Sequence, residues 1–284
     1  MTLNLSDVRF ETAALDDVRQ MIDWAADEGW NPGVDDAEAF WSTDKHGFFV
    51  ARIAREMVAA VSVVNHDDHV AFLGLYLCRP EFRGQGIGFA LWKHGLEHAG
   101  TRCIGLDGVL AQEANYETSG FVKHGSVLRL QGRIPGCSME QARLVNAMHD
   151  GETVTRLDAT ATGYDRGQFL DQWVFNATPS RKTVVLETPG TLSGFATARA
   201  CLEGIKVGPI VAKSTDDALV LLSAAASNFS SELVTVDIPS RQKALLEALE
   251  KMGFTSSFQT AHMFRGRAPH EGETYRAVAS MECG

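Results

Sequence analysis

Arg83-Gly84-Gln85-Gly86-Ile87-Gly88 sits between an apolar run, residues 71–77, that reads as a strand and an amphipathic run, residues 89–99, that reads as a helix. This turn constrains the chain more than any other segment. The first N–H groups of a helix have no partner inside it and point outward, so they favour an anion. Glycines let that anion approach the backbone closely. Arg83, with Arg79 upstream, adds positive charge. The segment therefore predicts an α/β protein that holds a phosphate-bearing ligand at a strand-to-helix turn.

Three kinds of glycine loop must be separated. A nucleoside-triphosphate loop needs Gly-Lys-Ser/Thr at the helix start, and here Gly88 is followed by Phe89-Ala90. A dinucleotide loop needs G-x-G-x-x-G directly after the strand, with an acid about 20 residues on. Asp107 ends a second apolar run and would supply that acid, but the third glycine falls at 88 rather than 89. Residues 79–83 also separate strand from glycines, where that fingerprint allows almost nothing.

The third kind fits. The segment resembles the central motif of the GNAT superfamily of N-acetyltransferases, in which a strand leads into Arg/Gln-x-x-Gly-x-Gly/Ala and then a helix. The resemblance continues at Asn115-Tyr116-Glu117-Thr118-Ser119-Gly120-Phe121, similar to the superfamily's Tyr-Glu-x-x-Gly-Phe close.

A chain of 284 residues, 45% of them hydrophobic, has material for two domains. The net charge of −10 argues against nucleic acid or an anionic membrane as partner and suits a cationic substrate. Five scattered cysteines (78, 103, 137, 201, 283) contain no C-x-x-C pair and read as small hydrophobes in a reduced compartment. No apolar run approaches the roughly 18 residues of a membrane span, and residues 1–7 show no basic segment before an apolar core, so the cytoplasm is expected.

Residues 1–133 read as strand 8–13, helix 15–27, short helix 35–41, a hairpin 47–54/57–65, then the glycine-loop strand and helix, a strand to Asp107, a helix near 112–118 and a final strand to Leu130. The order predicts a mixed sheet with an antiparallel front and a parallel rear pair. Gln131-Gly132-Arg133-Ile134-Pro135-Gly136 is a turn-rich break, and residues 134–284 form the second unit. There the order recurs: hairpin 181–187/193–200, strand 207–212, helix 216–227, strand 233–236, helix 241–251. Met252-Gly253-Phe254 then echoes Ser119-Gly120-Phe121. Hairpin to Gly-Phe covers about 70 residues in both halves, the mark of an internal duplication. The copy has no glycine loop. Ser214 with Asp217 reads instead as a helix cap, and two carboxylates at that helix start would repel a pyrophosphate. The whole chain resembles tandem GNAT proteins with an active N-terminal and a degenerate C-terminal domain. Segments 28–33, 105–109, 163–166 and 207–210 carry that subgroup resemblance.

The resemblance implies acetyl-CoA as donor and direct attack by an amine. It assigns the pyrophosphate to Arg83, Gly84, Gln85, Gly86, Ile87 and Gly88, the pantetheine arm to the strand edge at Leu75, Tyr76 and Leu77, and the general acid to Tyr116. An N–H near Leu77 would polarise the thioester carbonyl. A phenol is protonated at neutral pH and can donate to a departing thiolate. The base is open between Asp107 and Glu28, and a turn role for Asp107 is the simpler reading. The family's cofactor-contacting Asn position is Val109 here, with Asn115 as a substitute. Trp30, in a Trp-Asn-Pro-Gly loop, is placed with Glu28 at the acceptor, whereas Trp24, Trp41 and Cys103 read as core.

His94 and His98, without a zincin-type partner, read as a solvated helix face, and His66-Asp67-Asp68-His69 reads as a polar turn, so no metal is expected. The acceptor is an amine on a small molecule or a protein, and monomer and homodimer are both compatible. Two alternatives stand beside the transferase: a non-catalytic acyl-CoA sensor, motivated by the lack of a carboxylate on the cofactor strand, and a nicotinamide-dependent oxidoreductase.

Overall fold

The computed structural model describes residues 5–134, 142–188 and 190–284. The first half runs β1 (Val8–Thr12), α1 (Leu15–Asp27), α2 (Asp36–Thr43), β2 (Phe48–Ile53), β3 (Glu56–Asn65), β4 (Val70–Cys78), α3 (Ile87–His98), β5 (Cys103–Val109), α4 (Glu113–Thr118) and β6 (Val122–Arg133). The second runs β7 (Ala142–Leu144), α5 (Ala147–Thr162), α6 (Gly167–Leu170), β8 (Arg181–Thr188), β9 (Thr191–Ala200), β10 (Ile205–Val211), α7 (Thr215–Ala226), β11 (Leu233–Pro239), α8 (Lys243–Lys251), β12 (Thr255–Arg265) and β13 (Tyr275–Ala277).

Local pattern explains the elements. On α1, Val18, Met21, Ile22 and Ala25 recur at helical spacing and are the buried face. β3, β10 and β11 are buried almost without alternation because helices or other chain segments cover both sheet faces. The expected mixed sheet is present. Among the described residues all strands form one sheet, ordered β1-β2-β3-β4-β5-β12-β6-β11-β10-β9-β8-β7, with β13 added to β10. Only β4–β5 and β10–β11 are parallel. These are the rear pairs of the two copies.

The last strands are exchanged. β12 lies between β5 and β6, and β6 pairs with β11 on its other side, so each copy's final strand stands in the other's sheet. The break expected at 131–136 begins later than the composition suggested. Gln131, Gly132 and Arg133 continue β6 opposite Thr235, Val234 and Leu233. Gly132 belongs there because the Phe254 ring occupies the space above it, and a Cβ would meet that ring at 2.4 Å. Pro135, Gly136 and Cys137 lie outside the described residues.

Candidate active site

β4 and β5 pair only from Val70↔Cys103 to Leu73↔Leu106, although β4 continues to Cys78 and β5 to Val109. Beyond Leu73 the two strands part. Against β3, Gly74 faces Ser62 and Leu77 faces Ala60, which leaves Leu75 and Tyr76 opposite Val61 alone. That bulge puts Leu75 at φ 44°, a left-handed conformation costing about 1–2 kcal/mol in a non-glycine residue. The result is an unpaired strand edge along residues 74–78, roughly 13 Å long at about 3.3 Å per residue. It borders a cavity of about 550 Å³.

The glycine loop closes one end of this cavity. Gly84 (φ 74°) and Gly86 (φ 80°) both line it, and a Cβ on either would project into open space. Gly86 is the left-handed N-cap of α3, so the free N–H groups of the helix start face the same opening. Arg83 lines the cavity. It donates through Nε to the Cys78 carbonyl at 2.8 Å and through Nη2 to Glu28 at 2.5 Å. Gly88 lines it beside the Tyr76 hydroxyl. Gln85 instead donates to the Glu81 carbonyl, and the Ile87 side chain is buried in the core below α3. Arg79 does not line the cavity, and its charge is held by Glu56 and Glu81.

Leu75, Tyr76 and Leu77 line the open edge, with Tyr116 and Asp107 on the facing side. Tyr116 lies over Gly108, where a Cβ would stand 2.1 Å from its ring, and it stacks on Trp92 at 5.6 Å. Burial, reinforced by neighbouring Tyr76, pushes its phenol up to about 12, so it is protonated throughout the neutral range. Asp107 is not the turn residue its sequence context suggests. It stands in β5 opposite His262 of β12 and accepts a 2.7 Å hydrogen bond from its Nδ1, with its side chain 1% exposed. Burial pushes the Asp107 carboxyl up although His262 pulls it down. Burial disfavours the His262 cation, but Asp107 and Glu271 overcome it and hold the imidazole up to about 10. Asn115 is not at the cavity. It donates to Gln112 at 2.6 Å, and Gln112 with Val109 lines the wall instead.

The inner end is built by both halves. Trp30 lines it together with Arg129, Phe258, Thr260, Met281 and Glu282, whereas Glu28, expected beside Trp30 at the acceptor, lies on Arg83 at the glycine-loop end. The Trp30 carbonyl accepts from Arg129 Nη1 at 2.9 Å and from Lys206 Nζ at 2.7 Å. Asn31, at φ 49°, exchanges two hydrogen bonds with the Glu203 backbone. Arg129 is fixed in turn by a bidentate pair with Asp237, both contacts 2.8 Å. Sequence reasoning missed Glu282, Met281 and Phe258, which come from far along the chain. It also missed Tyr76 as a second phenol, although that residue lies on the strand already singled out.

Two smaller expectations change. His98 does not lie on a solvated face: its Nε2 meets Asp44 at 2.7 Å, and His94 stacks on Phe10. In the 66–69 segment Asp67 closes the polar turn on the N–H groups of His69 and Val70, but His66 is buried against the Cys283 carbonyl. Burial takes that imidazole down to about 4, so it is neutral. Among the described residues no cluster of ligating side chains suited to a metal is present.

The second copy shows what happens to this slot when it is not kept open. β10 and β11 pair from Ile205↔Val234 to Val207↔Val236 and then part in the same way. Here β13 takes the freed stretch of β10, Ile210 facing Ala277 and Val211 facing Tyr275. A Cβ on Gly208 would lie 2.1 Å from the Val278 carbonyl oxygen. The expected cap at α7 is present: Ser214 accepts from Asp217 N–H at 3.1 Å and Asp217 from Ser214 N–H at 3.2 Å.

The parted parallel pair is present twice, once open beside a bulge and a glycine-rich helix start and once filled, and it is the frame of an acyltransferase. Family comparison agrees: the "Acetyltransferase (GNAT) family" matches residues 15–125 and an "Acetyltransferase (GNAT) domain" matches residues 154–275. The chain is 33% identical over 277 residues to holothin acyltransferase from a Pseudoalteromonas strain, covering 96% of this chain and 93% of that one. It belongs to the GNAT family and is a tandem-domain acyltransferase. The fold matches a Pyrococcus horikoshii protein assigned as an acetyltransferase, with TM-score 0.84 and 21% identity over 99% of this chain and 98% of that one. A tandem GNAT protein from the clavulanic acid biosynthesis pathway matches with TM-score 0.59 and 16% identity over 92% and 99%. No described helix is long and apolar enough to cross a membrane.

Proposed function

We propose that this acyltransferase moves an acetyl group from acetyl-CoA to an amine, with residues 1–133 carrying the chemistry. The observation behind this reading is the contrast between the two slots: the strand edge at residues 74–78 is unpaired beside a glycine-lined helix start, while its counterpart on β10 is filled by β13. The side-chain-free faces of Gly84 and Gly86 fit an anion. The edge of β4 fits an extended amide-bearing arm added like a strand. Bound acetyl-CoA supplies an activated acyl group as its thioester.

The chain's own residues do the rest. Arg83 gives up Glu28 as partner, or shares it, to meet phosphate charge at the mouth. A backbone N–H near Leu77, on the strand edge beside the Leu75 bulge, polarises the thioester oxygen. Tyr116, protonated and placed across the slot, donates to the departing sulfur. Asp107, tied to His262, holds fixed charge below the strand parting. Trp30, Phe258 and Met281 bound the acceptor end, a size suited to a small molecule rather than a folded protein, and a holothin acyltransferase among the relatives supports that choice. A cytoplasmic protein with no nucleic-acid or membrane partner, either monomer or homodimer, completes the reading.

Calorimetric titration of acetyl-CoA into the intact chain tests it. One site per chain is expected, lost in Gly86→Glu, where a carboxylate would fill the anion position. Two sites would overturn the assignment of the second copy as non-binding. No binding would overturn the acetyl-CoA reading.

A further inference from the structure

The segment after β13 does more than fill the second slot. Val278 donates to the Asp237 carbonyl at 2.9 Å, and the chain then crosses to the first slot. There the Glu282 carbonyl oxygen packs on Gly74, where a Cβ would stand 1.9 Å away. Gly74 is the first β4 residue beyond the last β4–β5 pair, so Glu282 sits at the inner end of the open slot, opposite the glycine loop. Glu282 lines the cavity although the residue is only 6% exposed. One carboxylate oxygen accepts from Ser280 Oγ at 2.5 Å, and Ser280 Oγ accepts from the Glu282 N–H at 3.0 Å. Among the described residues no donor reaches the other oxygen, and it is not among the fully enclosed unpartnered atoms.

We propose that Glu282, delivered by the second half through its own filled slot, is the carboxylate that receives the acceptor amine and takes its proton. This rests on the acyl-transfer reading above. A thioester bound with its phosphates at the glycine loop presents its acyl carbon at the inner end, where β4 and β5 meet, and that is where Glu282 stands. The balance is complete. The acceptor ammonium gives one proton to Glu282. Its nitrogen then bonds to the thioester carbon and the carbon–sulfur bond breaks. The sulfur takes the Tyr116 proton, and the new amide nitrogen returns one to Tyr116. Glu282 releases its proton to solvent after product leaves. The charges around Glu282 are Arg129 on β6, Lys206 on β10 and Arg199 on β9, offset by Asp237 on β11 and Asp36 at the start of α2.

The test uses the full chain with acetyl-CoA and a panel of primary alkylamines, followed by thiol release. Where no amine of the panel reacts, acetyl-CoA hydrolysis is followed instead. Glu282→Gln is expected to keep acetyl-CoA affinity within about twofold while kcat/KM falls about 10²–10³-fold. The acidic limb of the wild-type pH profile should disappear with it. Ser280→Ala removes the hydrogen bond that favours the carboxylate, together with the acceptor for the Glu282 N–H, and leaves the carboxylate in place, so it should move that limb to higher pH without removing it. If Glu282 only balances neighbouring cations, Glu282→Gln would lower Tm and leave the pH limb in place, which overturns the proposal. A wild type lacking the limb, or lacking turnover of both amine and water, overturns it too. Failure of the wild type to bind acetyl-CoA would instead overturn the donor reading, so the two are told apart.

Discussion

His262 joins the exchanged strands, and its charge makes that junction pH-sensitive. In the folded chain Asp107 and Glu271 flank the ring at 2.7 and 3.2 Å and hold it up to about 10, against an ordinary value of 6.5. The folded state therefore keeps a proton that the unfolded chain gives up above pH 6.5. Each pH unit in that window is worth about 1.4 kcal/mol for one proton. The contribution is full below pH 6.5 and falls by about 5 kcal/mol by pH 10, of which about 3 kcal/mol is lost between pH 7 and 9. His262→Gln removes the titrating group. It also leaves Asp107 and Glu271 without their cation and lowers stability at neutral pH by about 3–5 kcal/mol. The informative quantity is the slope: urea unfolding of both proteins at half-unit steps from pH 6 to 10 should give curves that converge as pH rises, because every other titrating group is common to both. Parallel curves between pH 7 and 9 would refute the argument that this ring is charged at the β5–β12 seam.

If Tyr116 is the proposed acid for the departing sulfur, Tyr116→Phe should lower kcat about 10²–10³-fold while acetyl-CoA affinity, read by calorimetry, stays unchanged. Asp237→Ala should lower stability by about 3–5 kcal/mol in denaturant unfolding, because it strands the Arg129 guanidinium at 8% side-chain exposure. It should also raise KM for the acceptor, since Arg129 then no longer anchors the Trp30 carbonyl.

Much of the site was legible because it is local. The glycines at 84, 86 and 88, the flanking strand and helix, and Tyr116 before Gly120-Phe121 all lie within one stretch of about 50 residues. The turn and the two helix ends follow from backbone rules that a sequence displays directly: positive φ, free N–H groups and helix stop signals. The duplication was legible for the same reason, and so was the helix cap that replaces the glycine loop at Ser214–Asp217. Asp107 was visible as a strand-end acid, but its partner was not, because His262 meets it only through strand pairing 155 residues apart in sequence.

What the sequence determined by itself is the repeated hairpin, strand and helix elements of the two copies, though not α5 or β13, and the glycine turn that only the first copy carries, since helix and strand periodicity and glycine placement act over a few residues. What only the tertiary structure decided is which strand stands beside which, and hence what lines the inner end of the slot. β6 and β12 have equivalent local patterns, and either would satisfy the open edge of β5. The exchange is settled by long-range contacts: the ion pair at Asp107 and His262, the Phe254 ring over Gly132, and the passage of residues 278–282 from one slot to the other. Those contacts have no local signature, because pairing energy depends on what lies across the sheet and not on what lies next in the chain. For that reason Glu282, among the last residues of the sequence, comes to stand at Gly74.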